Sequence, residues 1–574
     1  MFTFVYLLLG LCQLSCAVFL NWNITWVNDA APDGVNRPVI GVNGKWPPPI
    51  LEAQVGEQVT IVVWNKLGNQ STSLHWHGIR QFQTNSMDGA TGVTQCPIPP
   101  DSSFTYSFVA SEAGTFWYHS HNMGQYPDGL RGAFVVHDPE PPWKGQVEKE
   151  YTITLSDWYH KQMPELISQF HSSGNGVEPV PDSFLLNDGK DASYPVEAGK
   201  GYLFRILNIG AFPSFFFSIE DHDFQIVEID GVYTVPTTAS TLLVGAAMRY
   251  SILVLAKTNT TKNFDITAVA DASIFQAAFT GKSLVASGSL QYDANGTKAT
   301  ARTDAAALVN WGNPGSLPPP IDDVGILPSD NQPILEPVDH TIRLDFNQKV
   351  INGVTRDTIN DVTYLMPKVP SLYTALSVEP EDAKDYRIYG ANVNPIVINH
   401  NQIIEIQLNN RNPGAHSGHP WHLHGHQFQV VARSGDGVNA TYAGNATLPA
   451  IPMRRDVAGV RPGGYLVIRF RADNPGINLF HCHIEWHVQS GLTATFIEAP
   501  DEIEFEVPQD HLDVCIAQGI PVEGNAAGNV DDIYDLRGAN VDVPSVDNGA
   551  MWQGNQTVVK RARKVRVAPS RRSD

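Results

Sequence analysis

Eleven residues with metal-ligand chemistry fall into four short clusters: His75-Trp76-His77, His119-Ser120-His121, His419-x-x-His422-x-His424 and His481-Cys482-His483-x-x-x-His487. One histidine on a strand is usually a packed or surface residue; four such clusters do not arise by chance. The H-x-H spacing has a physical reason. On a β-strand residues i and i+2 share a face, roughly 6.5–7 Å apart, so one pair can present two imidazoles to two neighbouring metals. The middle residue points the other way. His481 and His483 can therefore serve one metal cluster while Cys482 serves a separate metal behind the strand.

Cys482 with His419 and His487 makes a thiolate-plus-two-imidazole set, the donor set of blue-copper sites. The weak axial position falls at Leu492, which cannot coordinate and should raise the reduction potential relative to a methionine there. Zinc is the rival metal, but structural zinc favours cysteines paired at C-x₂₋₄-C spacing, which the chain lacks. A Cys–His nucleophile pair is a further alternative, without a recognised nucleophile context around Cys482.

The elements that must position these residues read as strands. QVTIVVWN (58–65), KGYLFRILNI (200–209), YSILVLAK (250–257), QIIEIQLNN (402–410) and YLVIRFRA (465–472) are short, β-branched and bounded by turn residues. With 47 glycines and 40 prolines to punctuate turns, the fold class is all-β, built of sandwiches or Greek-key barrels. An internal repeat appears: GTFWYHSHNMGQYPDGLRGAFVV (114–136) aligns with INLFHCHIEWHVQSGLTATFI (477–497), and LHWHG (74–78) with WHLHG (421–425). Ser120 takes the place of Cys482 in the first copy, so only the later copy gains the separate metal. The expected division is a signal peptide at 1–17, β-domains at 18–140, 141–297 and 340–500, a Pro-rich connector at 298–339 and a C-terminal extension at 501–574. The middle domain lacks the histidine clusters. The extension ends in a basic run, KRARKVRVAPSRRS (560–573), read as a disordered or trimmed end or, alternatively, a polyanion-binding arm.

MFTFVYLLLGLCQLSCAVF reads as a secretory leader, and no later run approaches the roughly 18–20 apolar residues of a spanning helix. The expectation is a secreted protein without a membrane anchor of its own. Seven N-x-[ST] sequons, at Asn23, Asn69, Asn259, Asn295, Asn439, Asn445 and Asn555, fit N-glycosylation. Removal of the leader leaves Cys96, Cys482 and Cys515; one disulfide plus one thiol kept for chemistry would pair Cys96 with Cys515, the alternative being a disulfide through Cys482. Fifty-nine acidic against 38 basic residues exclude a nucleic-acid partner and favour cations. Oligomeric state is not legible.

HWHG, WYHSH, HPWHLHGH and HCHIEWH together resemble the multicopper oxidases, and the resemblance covers nearly the whole mature chain. It implies three cupredoxin-like domains and four copper ions: one type 1, one type 2 and a type 3 pair. Type 1 copper would take His419, Cys482 and His487; type 2 would take His75 and His422; the type 3 pair would take His77, His119, His121, His424, His481 and His483. His426 follows the motif but is not a ligand in the family, so it is read as structural. Cys96, in TQCPI, matches a cysteine that pairs near the C-terminus. The implied reaction passes single electrons from a reductant through Cys482 to His481 or His483, and four electrons reduce O₂ to two waters. Asp88, in SMDG, and Glu485 match acidic residues near the family's cluster that handle protons; ordinary support of the ligands is the bland reading of both.

The reductant must be read from what surrounds the type 1 histidines. In VEPVPDSFLLNDG (177–189), Glu178 resembles a glutamate that binds Fe(II) in iron-uptake ferroxidases, whereas Asp182 resembles the acidic residue of laccases that accepts a proton from a phenol or aryl amine. The aspartate that ferroxidases carry before HPFHLHGH is absent; Asn412 and an insertion bearing His416 stand there. Tyr364 resembles a tyrosine near the ferroxidase iron site, with core packing as the equal alternative. Fe(II), phenols and aryl amines are all expected donors. The alternatives are a phenol-specific laccase and a non-catalytic copper-binding protein.

Overall fold

A computed structural model describes residues 17–541 except 173–175, 191, 261, 278, 280–282, 294–308, 311–312, 315–316, 413–417 and 436–439. The leader up to residue 16, the sequons Asn295, Asn439 and Asn555, His416 and the basic run at 560–573 lie outside the described residues. Each run read as a strand is one: Glu57–Asn65, Gly201–Asn208, Arg249–Leu255, Ile403–Asn410 and Tyr465–Arg471. Their burial alternates where one face meets solvent, as in Ser103–Ala110, and is continuous where both faces are covered, as in Gly476–Cys482.

Among the described residues six larger sheets fall into three successive pairs along the chain. Strands between 17 and 137 form two four-stranded sheets; strands between 149 and 291 form a six- and a five-stranded sheet, and strands between 340 and 498 do the same. The second and third pairs share one connectivity. In each six-stranded sheet a parallel strand pair lies beside antiparallel neighbours, as Lys149–Trp158 lies beside Gly201–Asn208 and His340–Ile351 beside Ile403–Asn410. The architecture is all-β with sandwich units, as expected.

One apolar core runs without a break from Ile153 in the second pair to Phe496 in the third, and a second joins the first pair to Leu372, Tyr373 and Cys515. The units are thus held by shared cores. Cys96 and Cys515 form a disulfide that ties a loop of the first pair to the helix Gln509–Ile516, while Cys482 stays free and buried. A ladder of buried charges crosses from the second pair to the third. Arg249 donates to both oxygens of Asp456 at 2.6 Å and lies 3.5 Å from Asp230; Arg455 donates to Asp230 at 2.9 Å and pairs with Asp323, which also accepts from Arg433. Buried ions are tolerated only when paired in this way. No helix among the described residues is long and apolar enough to cross a membrane.

Candidate metal centre

The strands that carry the histidines meet edge to edge. His75 pairs in register with His119 across one sheet, and His422 with His481 across another. Between these sheets eight imidazoles crowd together: His77 stacks on His422 with ring centres 3.8 Å apart, and His75 on His424 at 4.0 Å. Only His75-Trp76-His77 lies wholly within a strand. The strands holding the other three H-x-H pairs stop at His119, Leu423 and Cys482, so His121, His424 and His483 extend from the chain just past a strand end. Alternation still holds at the residue that matters. Cys482 turns its sulfur away from the eight rings, to 3.7 Å from His419 Nδ1 and 3.4 Å from His487 Nδ1.

Six of the eight rings, those of His75, His77, His119, His422, His424 and His481, are held by a hydrogen bond from one nitrogen. Nδ1 of His75 donates to the Asp88 carbonyl at 2.8 Å, that of His119 to Ser120 at 2.9 Å, that of His422 to Asp456 at 2.9 Å and that of His481 to Cys482 at 2.9 Å. His424 Nδ1 donates to the Asp88 carboxylate at 2.9 Å, and His77 Nε2 lies 3.3 Å from Asp456 Oδ1. The opposite nitrogens are buried without a partner: Nε2 of His75, His119 and His422, Nδ1 of His77 and both nitrogens of His483. His424 and His481 bring their Nε2 atoms to 3.1 Å from each other. A fixed outer nitrogen and a bare inner one is the arrangement that orients imidazoles toward metals. Burial first, and the mutual repulsion of the rings second, hold the conjugate acids of His77, His119, His121, His422 and His481 well below the ordinary range. Their lone pairs are therefore available at neutral pH. A thiol between two imidazoles, with further imidazoles and no carboxylate-rich cage, is a donor set that fits copper.

The candidate acids sit in different settings. Asp88 is buried, and although burial would raise its carboxyl, His424 and His75 outweigh that and hold it below the usual range. Gly89 adopts φ +88°, and a Cβ there would overlap the Leu74 carbonyl, so only glycine lets the SMDG loop lie this close beneath His75. Glu485 begins the short helix Glu485–Gln489 and lines a cavity of about 500 Å³ together with His119, His121, His481 and His483. Burial pushes its carboxyl up to about 7, only partly opposed by the hydrogen bond from Gln489.

Around the thiol, Leu492 is fully buried; its carbonyl accepts from Cys482 N at 3.2 Å and its N–H donates to the His487 carbonyl at 2.9 Å. Glu178 brings Oε1 to 3.4 Å from His487 Nε2. Asp182 instead faces His160, whose backbone N–H it accepts at 2.7 Å, and its side chain is 44% exposed. Asn412 uses its side-chain oxygen to accept from Gln348 N at 2.7 Å. Tyr364 lines the 500 Å³ cavity, and His426 is spent on Glu498 at 2.6 Å, as a structural histidine should be. Two residues escaped the sequence reading. Asp456 joins His77 and His422 in one cluster of potential ligands, and Asp357 donates its backbone N–H at 3.0 Å to the Ser490 carbonyl, in the turn after the helix bearing His487. The first had a signal, since the charged triplet Arg454-Arg455-Asp456 interrupts an apolar stretch and must find partners if buried.

Three family models, each described as multicopper oxidase, match residues 23–141, 149–295 and 364–502. Over 554 residues the chain is 45% identical to the iron transport multicopper oxidase fetC of Epichloe festucae, covering 94% of this chain and 86% of the relative. Among solved structures it is similar to Fet3p, described as a multicopper oxidase that functions in iron import, with a TM-score of 0.85, 36% identity and coverage of 92% of this chain and 100% of that one. It is also similar to the laccase of Botrytis aclada, with a TM-score of 0.75, 27% identity and coverage of 87% and 91%.

Proposed function

The chain belongs to the multicopper oxidase family, a copper-dependent oxidase of cupredoxin fold, and from that premise we propose that its principal electron donor is Fe(II). The observation that carries the proposal is Glu178, whose carboxylate lies 3.4 Å from the outer nitrogen of His487 while the inner nitrogen of the same ring faces Cys482. A carboxylate binds a hard divalent ion through oxygen and favours the ferric product over the ferrous substrate. The iron named in the description of the Epichloe festucae relative and of Fet3p supports the same donor.

In this reading His419, Cys482 and His487 hold the type 1 copper, His75 and His422 the type 2 copper, and His77, His119, His121, His424, His481 and His483 the type 3 pair. The chemistry that bound copper supplies is one-electron acceptance at the thiolate and four-electron reduction of O₂ at the histidine cluster. Four Fe(II) ions supply the electrons, and four protons complete two waters. Cys482 is bonded through the backbone to His481 and His483, so one tripeptide joins the two ends. Gln489 occupies Oε1 of Glu485, which leaves Oε2 to carry a proton toward the cavity. Asp88 fixes His424 and His75. The oxidised Cys96–Cys515 pair and the sequons support a secreted, N-glycosylated protein.

Phenols and aryl amines form a second reading, favoured by the half-exposed Asp182 carboxylate and by the laccase similarity. Steady-state kcat/KM for Fe(II), a phenol and an aryl diamine on the purified enzyme decides between them. Glu178→Ala should lower turnover on Fe(II) much more than on the phenol; equal losses would remove the iron role. Asp182→Asn should raise KM for the phenol, chiefly at mildly acidic pH, and no change there would count against the second reading.

A further inference from the structure

The sheet pair between 149 and 291 carries none of the histidine clusters, yet one of its side chains reaches the copper cluster. Arg249 opens the strand Arg249–Leu255 and is fully buried. Its Nη1 and Nη2 donate to Oδ1 and Oδ2 of Asp456, each at 2.6 Å. Its Nε donates to the Thr115 carbonyl at 3.0 Å, and Nη1 also donates to the Ala247 carbonyl at 3.1 Å. Thr115 lies in Gly114–His119, the strand that ends on a cluster histidine, and Asp456 lies between the strands Arg454–Arg455 and Val457–Val460. One guanidinium therefore joins all three sheet pairs, and its planar fork fills both carboxylate oxygens in a way an ammonium cannot.

Asp456 passes this hold on to two imidazoles at once. Its Oδ1 lies 3.3 Å from His77 Nε2, and its backbone carbonyl accepts from His422 Nδ1 at 2.9 Å. The two rings stack on each other, with centres 3.8 Å apart and planes at 19°. His77 Nδ1 and His422 Nε2 are buried without a hydrogen-bond partner. The proton of a neutral His77 therefore belongs on Nε2, where the carboxylate accepts it, and Nδ1 is left bare for a metal. The Asp456 carboxylate is near enough to both rings to count as a potential ligand. With both oxygens gripped by Arg249, it is better suited to orient the rings than to bind the metal. The glycine of HWHG follows from the same contacts. At φ +89° a Cβ on Gly78 would lie 2.6 Å from Arg249 Nη2 and 2.9 Å from Asp456 Oδ2, so only glycine lets the pair pass this close to His77.

We propose that Arg249 and Asp456 are positioning residues of the copper cluster: Arg249 fixes the Asp456 carboxylate, and Asp456 fixes the tautomer of His77 and the direction of His422. The middle sheet pair thereby sets the geometry of a centre to which it gives no ligand. Electron acceptance at Cys482 is independent of this hold, because the sulfur faces His419 and His487 rather than the eight rings. The proposal rests on the assignment of His77 and His422 to the cluster.

The test uses copper-loaded holoenzymes of wild type, Asp456→Asn, Arg249→Lys and His77→Ala, dialysed against graded concentrations of a copper chelator. Copper at the cluster is read as total copper in excess of the type 1 copper given by the visible band. Asp456→Asn should release cluster copper at about 10–100-fold lower chelator concentration than the wild type. Arg249→Lys keeps the charge but cannot grip both oxygens, so it should shift release in the same direction. In both variants the visible band, and its anaerobic bleaching by an aryl diamine, should stay as in the wild type. The paramagnetic resonance signal of the type 2 copper should change, because His422 is held by the same residue as His77. If His77→Ala loses cluster copper while Asp456→Asn and Arg249→Lys retain it with an unchanged type 2 signal, this proposal alone falls. If His77→Ala also retains it, the ligand assignment falls with it. Should Asp456→Asn fail to fold, Arg249→Lys is read in its place by the same criteria. Loss of the visible band in parallel with cluster copper, or failure of both variants to fold, marks the pair as general scaffold and overturns the proposal.

Discussion

The carboxylate of Asp88, on a loop of the first sheet pair, accepts a hydrogen bond at 2.9 Å from Nδ1 of His424, on the third. A residue 336 positions away in the chain therefore sets the direction in which His424 presents its other nitrogen. Asp88→Ala should leave that ring unheld and cost about 10–100-fold in copper retention at the cluster or in turnover. The type 1 absorbance should survive, because the sulfur lies on the other face of its strand. Metal analysis alongside the visible spectrum checks both parts, and loss of the visible band together with the cluster would contradict the separation.

Cys482 is the free cysteine among the described residues and the sulfur between His419 and His487. Cys482→Ser should abolish the charge-transfer band expected at about 600 nm for a copper thiolate. Oxidase activity should disappear on every donor, while copper held by the eight-histidine cluster is largely retained. A variant that kept its blue colour would refute the ligand assignment.

Glu485 yields a pH prediction. Its carboxyl, raised by burial to about 7, carries a proton below that pH and is ionised above it. Proton supply from this group should accordingly fall as pH rises through about 7. Glu485→Gln cannot donate in this way, so turnover at pH 6 should drop by about tenfold or more. The alkaline limb near 7 should flatten. Unchanged turnover and an unchanged pH profile in the variant would eliminate the proton role.

The disulfide between Cys96 and Cys515 closes a loop of 419 residues and anchors the helix Gln509–Ile516. Cys515→Ala should destabilise the protein by about 3–5 kcal/mol. Thermal or denaturant unfolding with and without a reductant measures this. The wild type should lose stability on reduction, and the variant should be indifferent to it.

Much of this was legible in the chain itself. Strands such as Glu57–Asn65 and Tyr465–Arg471 announce themselves because a period-two or continuous β-branched run bounded by turn residues is a local property. The opposite facing of Cys482 and its flanking histidines was legible for the same reason, since alternation is set by backbone geometry. The separate fates of His424 and His426, one in the cluster and one spent on Glu498, followed from motif resemblance; spacing alone does not separate them.

What the tertiary structure decided is every relation that joins distant segments. Asp357 sits in VTRDTI, which read alone is an ordinary strand with a polar residue in it; only the tertiary structure docks it, through its backbone N–H, on the Ser490 carbonyl in the turn after the helix bearing His487. Asp456 likewise gains its meaning from Arg249 and His77, contributed by two other sheet pairs. Asp182 and Glu178, four positions apart, were both read as carboxylates facing the electron donor, yet half-exposed Asp182 faces His160 and Glu178 a buried imidazole. Strand periodicity is written residue by residue, whereas burial and charge pairing depend on which surfaces meet. The sequence alone pointed to copper and to the histidine clusters; the packing of the sheets decided which side chains stand together.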